Sequence, residues 1–245
     1  NIHIIDSESF SKKISDNMPE IPIQKLYIDE YPMKQSNGIY TSPEANKKLV
    51  DLFYKDAGFI HFMGHGSESG WTDEKILTIN DIVALKNKNN LPILFTATCQ
   101  FAKFDNPYIL SGAEALLCSD TCGSQAIIGT SRPVFQSNNF TFGNNFYELA
   151  AQHKSEKNYK IGDLVKDTKN AGKGQIGNRN IVLLGDPSSS IPWNYQKLTI
   201  DKTDFTLGKA NEIIIHNSLN SEITGNLRVS LSNIPTQTLG TKSPK

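Results

Sequence analysis

The sequence predicts an α/β fold in which helices cover a mostly parallel sheet. Continuous apolar runs alternate along the chain with segments of helical spacing, which is the pattern of that class. A run that is apolar throughout, without alternation, is typical of a strand buried on both faces of a parallel sheet. The runs are KLYI at 25–28, GFIHFM at 58–63, PILFTAT at 92–98, QAIIGT at 125–130 and NIVLLG at 180–185.

Helix signals occupy the segments between these runs. In SPEANKKLVDLFYKD (42–56), Ser42 is a candidate N-cap and Pro43 suits the first turn. In TINDIVALKNK (78–88), Asn80 or Asp81 is the candidate cap. Three further helices are predicted from the same spacing, at 111–120, 142–154 and 160–171.

The pattern changes after Trp193. Short alternating segments follow from Leu198 onward, separated by Asn, Gly and Ser, and they predict antiparallel strands. We therefore expect an α/β domain over residues 1–195 and the beginning of a small, Ig-like β-sandwich over 196–245. Because the chain starts at Asn1 without a methionine, we also expect the amino-terminal part of the first domain to be missing.

Composition argues against several classes of function. The 25 Lys and Arg residues balance the 25 Asp and Glu residues, so no basic surface is expected for nucleic acid or for a membrane. No apolar run reaches the roughly 18 residues that a membrane-spanning helix needs. The three cysteines do not form a disulfide framework, and no Cys or His cluster has the spacing of a metal site. We expect neither a metal nor another cofactor.

Two predicted strands end in reactive side chains. GFIHFM is followed by Gly64-His65-Gly66, and PILFTAT is followed by Cys99. Since the carboxyl ends of parallel strands meet at one edge of a sheet, the imidazole and the thiol are expected to form a nucleophile–base pair. The glycines let backbone approach a substrate, and the Gly66 N–H can face a developing oxyanion. Either residue alone would more often be a turn histidine or a packed thiol.

Further candidate substrate-binding residues lie at the ends of predicted strands. Trp71 and Asp73 are candidates for the wall of the substrate cleft, with Trp71 as a cap on the sheet as the alternative. Three residues at the end of QAIIGT and just beyond it are candidates for the pocket of the residue before the cut, with an Arg132–Asp105 ion pair as the alternative: Thr130, Ser131 and Arg132.

Two other polar residues are predicted to be structural. His61 lies inside its strand and is expected to pack in the core. Asp186, in LLGDP, is expected to organise a turn through side-chain hydrogen bonds.

Several segments resemble, in order and spacing, the gingipain family of cysteine peptidases, over about residues 1 to 195. They are GHGSESGW, LPILFTATCQFAKFDNP, SGAEALL, AIIGTSRPV and NRNIVLLGDPSSS. KLYIDEYP and WTDEKILTINDI are similar to one subgroup, the PorU-type signal peptidases of the type IX secretion system.

The resemblance implies a caspase-like fold with a small β domain packed behind it. It implies Cys99 as the nucleophile, His65 as the general base and acid, and the backbone N–H groups of Gly66 and Cys99 around the oxyanion. Family members also place an acidic residue upstream to orient the histidine. By position that residue is Asp6, with Glu8 as the other candidate.

The resemblance also implies a role at the outer surface of the cell. The subgroup removes C-terminal signal domains from exported cargo, beside other outer-membrane components of the secretion system. An amine of anionic lipopolysaccharide can resolve the acyl-enzyme, as in a sortase. Two alternatives stay open: a secreted protease of the gingipain type with broad specificity, and a non-catalytic binding module with the same fold.

Overall fold

A computed structural model describes residues 1–55, 57–156, 158–191 and 193, together with the backbone of 199–200 and 215–216. The chain divides into two compact units, Asn1–Tyr195 and Gln196–Lys245. In the second unit, two short strands pair antiparallel. The rest of the predicted β-sandwich lies outside the described residues.

The helices and strands follow in chain order. The helices are α1 (Ile2–Asn17), α2 (Pro43–Tyr54), α3 (Ile79–Ala84), α4 (Gly112–Leu117), α5 (Gln136–Gln152) and α6 (Ile161–Ala171). The strands are β1 (Lys34–Ser36), β2 (Ile39–Thr41), β3 (Phe59–Met63), β4 (Gly66–Ser67), β5 (Gly70–Trp71), β6 (Leu77–Thr78), β7 (Ile93–Ala97), β8 (Ala126–Thr130), β9 (Ile181–Gly185), β10 (Thr199–Ile200) and β11 (Ile215–His216).

The central sheet has four strands in the order β3-β7-β8-β9. The first three are parallel, and β9 runs antiparallel to β8. The predicted α/β class with a mostly parallel sheet is confirmed. Since β9 runs in the opposite direction, its carboxyl end lies at the edge where the parallel strands begin.

The two middle strands are buried along their whole length, as their continuous apolar sequences predict. On one face, Phe95 and Ile128 pack in a cluster that includes side chains of α1, α5 and α6. On the other face, Leu94 and Ile127 pack in a cluster that includes side chains of α2, α3 and α4. Helices on both faces leave the carboxyl edge of the parallel strands as the place for a site.

One predicted strand is wrong. KLYI is not paired, and its last residue begins a short 3-10 turn, Ile28–Glu30. The side chains explain the difference, because Lys25 Nζ lies 2.7 Å from a carboxylate oxygen of Glu8 and the Tyr27 hydroxyl donates to the same carboxylate. Side-chain hydrogen bonds to α1, rather than pairing with a neighbouring strand, fix the position of this segment.

Two helix starts also differ from the prediction. Thr78, rather than Asn80 or Asp81, caps α3: its hydroxyl accepts from the Asp81 N–H at 3.3 Å, and the Asp81 carboxylate accepts from the Thr78 N–H at 2.8 Å. This reciprocal arrangement is a capping box. Helix α5 begins at Gln136, earlier than predicted, because its first turns pack Phe140 and Phe142 against the core.

Candidate active site

His65 and Cys99 occupy equivalent positions beyond two adjacent parallel strands. The register of β3 and β7 pairs Met63 with Ala97, and the Gly64 N–H donates to the Ala97 carbonyl at 3.3 Å. Two residues further along each strand stand His65 and Cys99. Because neighbouring strands run about 4.8 Å apart, this register places the two residues side by side at one edge of the sheet.

A small antiparallel sheet of β4, β5 and β6 forms the loop after His65. The His65 carbonyl accepts a hydrogen bond from the Thr72 N–H at 3.0 Å. Hydrogen-bonded pairs alternate with non-bonded pairs along an antiparallel ladder. The next pair, Gly66 opposite Trp71, is therefore non-bonded, and the Gly66 N–H points away from β5.

Gly66 lies directly against the end of β7. A β-carbon at this position would come within 2.9 Å of Thr98 Cβ and 3.2 Å of the Gly70 carbonyl oxygen. Only glycine permits this approach, which brings the Gly66 N–H beside the residue that precedes Cys99. Among the described residues, the Cys99 N–H makes no hydrogen bond. These two N–H groups can stabilise an oxyanion.

The chain turns sharply at Cys99. The thiol is half-buried, and its Sγ lies 3.7 Å from the Val134 carbonyl oxygen. The next residue, Gln100, has φ 60°, in the left-handed region that non-glycine residues seldom adopt. A hydrogen bond of 3.1 Å from the Gln100 N–H to Thr130 Oγ1 holds this conformation. The turn ends the strand and places Cys99 at the sheet edge.

Thr130 and Ser131 are buried and serve the scaffold, so their predicted place in the substrate pocket is wrong. The Thr130 hydroxyl donates to the Thr98 carbonyl as well as accepting from Gln100. The Ser131 hydroxyl donates to the Asn180 carbonyl at 3.2 Å. Both side chains fix the loops around Cys99 instead of facing a substrate.

Trp71 does not line a cleft. Its side chain is 0 % exposed and is stacked on Phe62, with ring centroids 4.3 Å apart. It belongs to the core cluster on the α2, α3 and α4 face of the sheet, so the substrate-binding prediction is wrong and the alternative, a cap on the sheet, describes its position. Asp73 is exposed beyond it, and its predicted role stays a prediction.

Two charged contacts hold the loop after Cys99. The Glu68 carboxylate binds Lys103 Nζ at 2.6 Å and Asn106 Nδ2 at 2.7 Å, and these bonds lower the pKa of Glu68. On the other side, Arg132 Nη1 donates to Asp105 at 3.0 Å, and the guanidinium lowers the pKa of that carboxyl. The Arg132–Asp105 alternative is thus confirmed. These contacts join the loop after Cys99 to the loop after His65 on one side and to the loop after β8 on the other.

Helix α1 brings a residue to the site that the sequence analysis did not single out. The His3 ring lies edge-on to the His65 ring, with centroids 5.2 Å apart and an interplanar angle of 89°. Sequence offers no signal for this contact beyond a histidine near an acidic residue, because no local pattern says which loop α1 will meet.

The two acidic candidates lie on the same helix. Asp6 is buried and accepts a hydrogen bond from Gln136 Nε2. Within the described part of the chain, no hydrogen bond joins Asp6 to His65. Glu8 is engaged elsewhere, by Lys25 and Tyr27, and these bonds lower its pKa. The charge of Asp6 acts on His3, which contacts His65, so Asp6 stays the predicted orienting acid.

His61 and Asp186 behave as the sequence predicts. The His61 ring is stacked on Phe95 at 4.3 Å, its Nδ1 lies 2.7 Å from the Tyr147 hydroxyl, and burial lowers its pKa to about 3. The Asp186 carboxylate accepts from both the N–H and the hydroxyl of Ser188 at 2.8 Å, which organises a turn.

In the described ranges, no three His, Cys, Asp or Glu side chains cluster as metal ligands would. No helix in the described part of the chain combines the length and apolar character needed to cross a membrane.

The fold and the paired strand ends define a caspase-like α/β domain. The family model described as peptidase family C25 matches residues 1–192, so the chain belongs to that family, the family of the gingipains. No curated protein matches the chain significantly.

Solved structures share the fold. The arginine-specific cysteine proteinase gingipain R (RgpB) aligns with a TM-score of 0.60 and 20% identity, over 77% of this chain and 42% of that one. The complex of Porphyromonas gingivalis RgpB pro- and mature domains gives a TM-score of 0.60 and 21% identity, over 76% and 43% of the two chains. The chain thus spans less than half the length of the solved structures that it matches.

Proposed function

We propose that this chain is a cysteine endopeptidase with Cys99 as nucleophile and His65 as general base and acid. The observation that carries the proposal is the β3–β7 register, which puts both side chains two residues beyond the paired ends of adjacent strands. Membership of peptidase family C25 supports the same reading. The Gly66 and Cys99 N–H groups are the proposed oxyanion donors.

The proposed reaction has two stages. His65 accepts the thiol proton, Cys99 Sγ bonds to the scissile carbonyl carbon, and the two N–H groups bind the oxyanion. The C–N bond then breaks, His65 gives its proton to the leaving amine, and a thioester remains. Water, or an amine, next attacks the thioester carbon and gives a proton to His65, which returns it to the departing thiolate.

Alkylation by iodoacetamide tests the pair, because only the thiolate reacts. The three cysteines are followed separately by mass spectrometry at several pH values, with exposed Cys118 as internal reference. We expect half-buried Cys99 to react faster than Cys118 at about pH 6, where an unperturbed thiol with a pKa of about 8.5 is almost fully protonated. The advantage should disappear in His65→Ala and persist in the control His153→Ala.

Two results would contradict the proposed pair of Cys99 and His65. If Cys99 reacts no faster than Cys118 at any pH, or if His65→Ala leaves its rate unchanged, the proposed pair does not exist. The chain would then be read as a binding module on the peptidase fold.

We further propose a finer role: removal of C-terminal signal domains from proteins exported by the type IX secretion system. The motifs from GHGSESGW to NRNIVLLGDPSSS support this role through their resemblance to PorU-type signal peptidases. In this role the chain acts at the cell surface, beside outer-membrane components of the system. Anionic lipopolysaccharide then supplies the amine that resolves the thioester, which makes the reaction a transpeptidation.

The second candidate is a gingipain-type protease of broad specificity, favoured by the fold shared with gingipain R. Peptides spanning the junction between a cargo domain and its C-terminal signal, and scrambled versions of them, separate the two. Cleavage at one junction supports the signal peptidase, whereas equal cleavage of scrambled peptides supports the broad protease. Adding glycine amide tests transfer, because a transpeptidase yields the amide-extended product.

A further inference from the structure

His3 meets the candidate base directly. Its ring stands edge-on to His65 at 5.2 Å between centroids, and its Nδ1 is shielded from solvent without a hydrogen-bond partner among the described residues. It lies on the first turn of α1, three residues before buried Asp6. None of the sequence motifs includes it, and the proposed reaction gives it no part.

The helix that carries His3 is held firmly in place. Phe10 lies in the core, stacked on His61 at 5.4 Å and on Phe140 at 5.5 Å. A β-carbon on Gly143 of α5 would lie 2.6 Å from the Phe10 ring, so the two helices pack as closely as glycine allows. Asp6 adds the hydrogen bond from Gln136. The helix that carries His3 is therefore held by its own packing against the core and α5.

The charges around His3 decide its protonation state. Burial lowers the pKa of His3, His65 lowers it further, and Asp6 opposes both. Gln136, the α5 residue bound to Asp6, carries no charge, and Cys99 faces His65 by register. His3 is accordingly neutral near pH 7. A neutral His3 ring lets His65 take a proton without a second cation beside it.

We propose that His3 is a positioning residue for His65: its neutral ring holds the base in place, and its protonation at acid pH repels the protonated His65 and weakens the ion pair with Cys99. This inference rests on the proposed function. It predicts that His3 limits how far activity extends toward acid pH. A purely structural contact would lower activity equally at every pH.

The test compares His3→Phe, which keeps an aromatic contact without a charge, with His3→Ala, which removes the contact. Cys99 alkylation and peptidase kcat/KM are measured between about pH 4.5 and 8. At about 5 Å, repulsion between two partly exposed charges is strong enough to move a titration by roughly one pH unit. We expect the acid limb of His3→Phe to extend about that far below the wild-type limb, with similar rates near pH 7.5.

For His3→Ala we expect a loss of about tenfold near pH 7.5, since misplacing a reacting group costs rate. Its acid limb should extend as in His3→Phe, because both variants lack the titratable ring. His153→Phe is the matched control, because His153 pairs with Glu156 at 2.8 Å away from the site and should leave the profile unchanged. Thermal unfolding of each variant checks that it is folded.

The possible failures are distinguishable. If wild-type Cys99 shows no His65-dependent reactivity, the proposed function falls, and this inference falls with it. If that reactivity is present but the profiles of His3→Phe and wild type superimpose, only the role of His3 is overturned.

Discussion

The Glu68 carboxylate and the Lys103 ammonium group lie 2.6 Å apart and join the loop that follows His65 to the loop that follows Cys99. Both side chains are largely shielded, and Asn106 contributes a second bond to the same carboxylate. The backbone repeats the connection, since the Gly112 N–H donates to the Glu68 carbonyl at 2.7 Å. The two candidate catalytic residues are thus fixed relative to each other by their loops as well as by the sheet.

Glu68→Gln should lower kcat/KM by roughly tenfold while leaving the fold intact, because the weakened contact lets the two loops drift apart by a fraction of an ångström. The measurement is peptidase kinetics beside thermal unfolding. Glu156→Gln serves as control, since it breaks an exposed pair with His153 outside the site. Equal kinetics for the two variants would show that the Glu68 contact does not matter for the reaction.

Gly66→Ala should reduce kcat strongly, by about a hundredfold, because the added β-carbon forces the loop from Thr98 and displaces an oxyanion donor. Gly172→Ala is the matched control, since its β-carbon would meet no atom closer than 3.6 Å. Initial rates under saturating substrate measure kcat for both variants. Near-normal kcat in Gly66→Ala would remove this N–H from the proposed mechanism.

Thr130→Val should destabilise the chain by about 2 kcal/mol, because the Gln100 N–H and the Thr98 carbonyl both lose a partner in a buried place. Thr130→Ser keeps the hydroxyl and should retain most of the stability. Urea unfolding measures the change in the free energy of unfolding. The value of kcat/KM shows whether the turn after Cys99 is disturbed. If the two variants are equally stable, the hydroxyl does not hold that turn.

His61 should make the fold sensitive to acid. Burial lowers its pKa to about 3 in the folded state, whereas the unfolded value is about 6.5. Between these values the unfolded chain binds the extra proton, so the free energy of unfolding falls as pH falls, by up to about 1.4 kcal/mol per pH unit. The sign is therefore loss of stability on acidification below about pH 6.5.

The comparison with His61→Phe isolates this effect, since titration of carboxylates is common to both proteins. Urea unfolding between about pH 4 and 7 should show a flatter dependence for the variant, whatever its absolute stability after losing the bond to Tyr147. Parallel curves would mean that His61 gains its proton without unfolding.

Local pattern was sufficient for much of the fold. Each continuous apolar run from GFIHFM onward became a strand of the central sheet. The two middle strands are buried on both faces, as such runs predict, whereas the edge strands β3 and β9 are partly buried. The prediction of a strand failed at KLYI, because the position of this apolar run depends on a bond to Glu8 of α1. The prediction that Trp71 lines the cleft also failed. The same local sequence is compatible with an aromatic side chain that faces a cleft and with one that faces the core.

The class of fold, the strands that end in His65 and Cys99, and the glycines on either side of the histidine could all be predicted from the sequence. These features depend on periodicity and on residue types, which are local. Packing between distant segments establishes that β9 runs antiparallel, that Thr130 turns inward to hold Gln100, and that His3 contacts the candidate base. Such contacts join residues far apart in the chain, and they depend on which surfaces pack together.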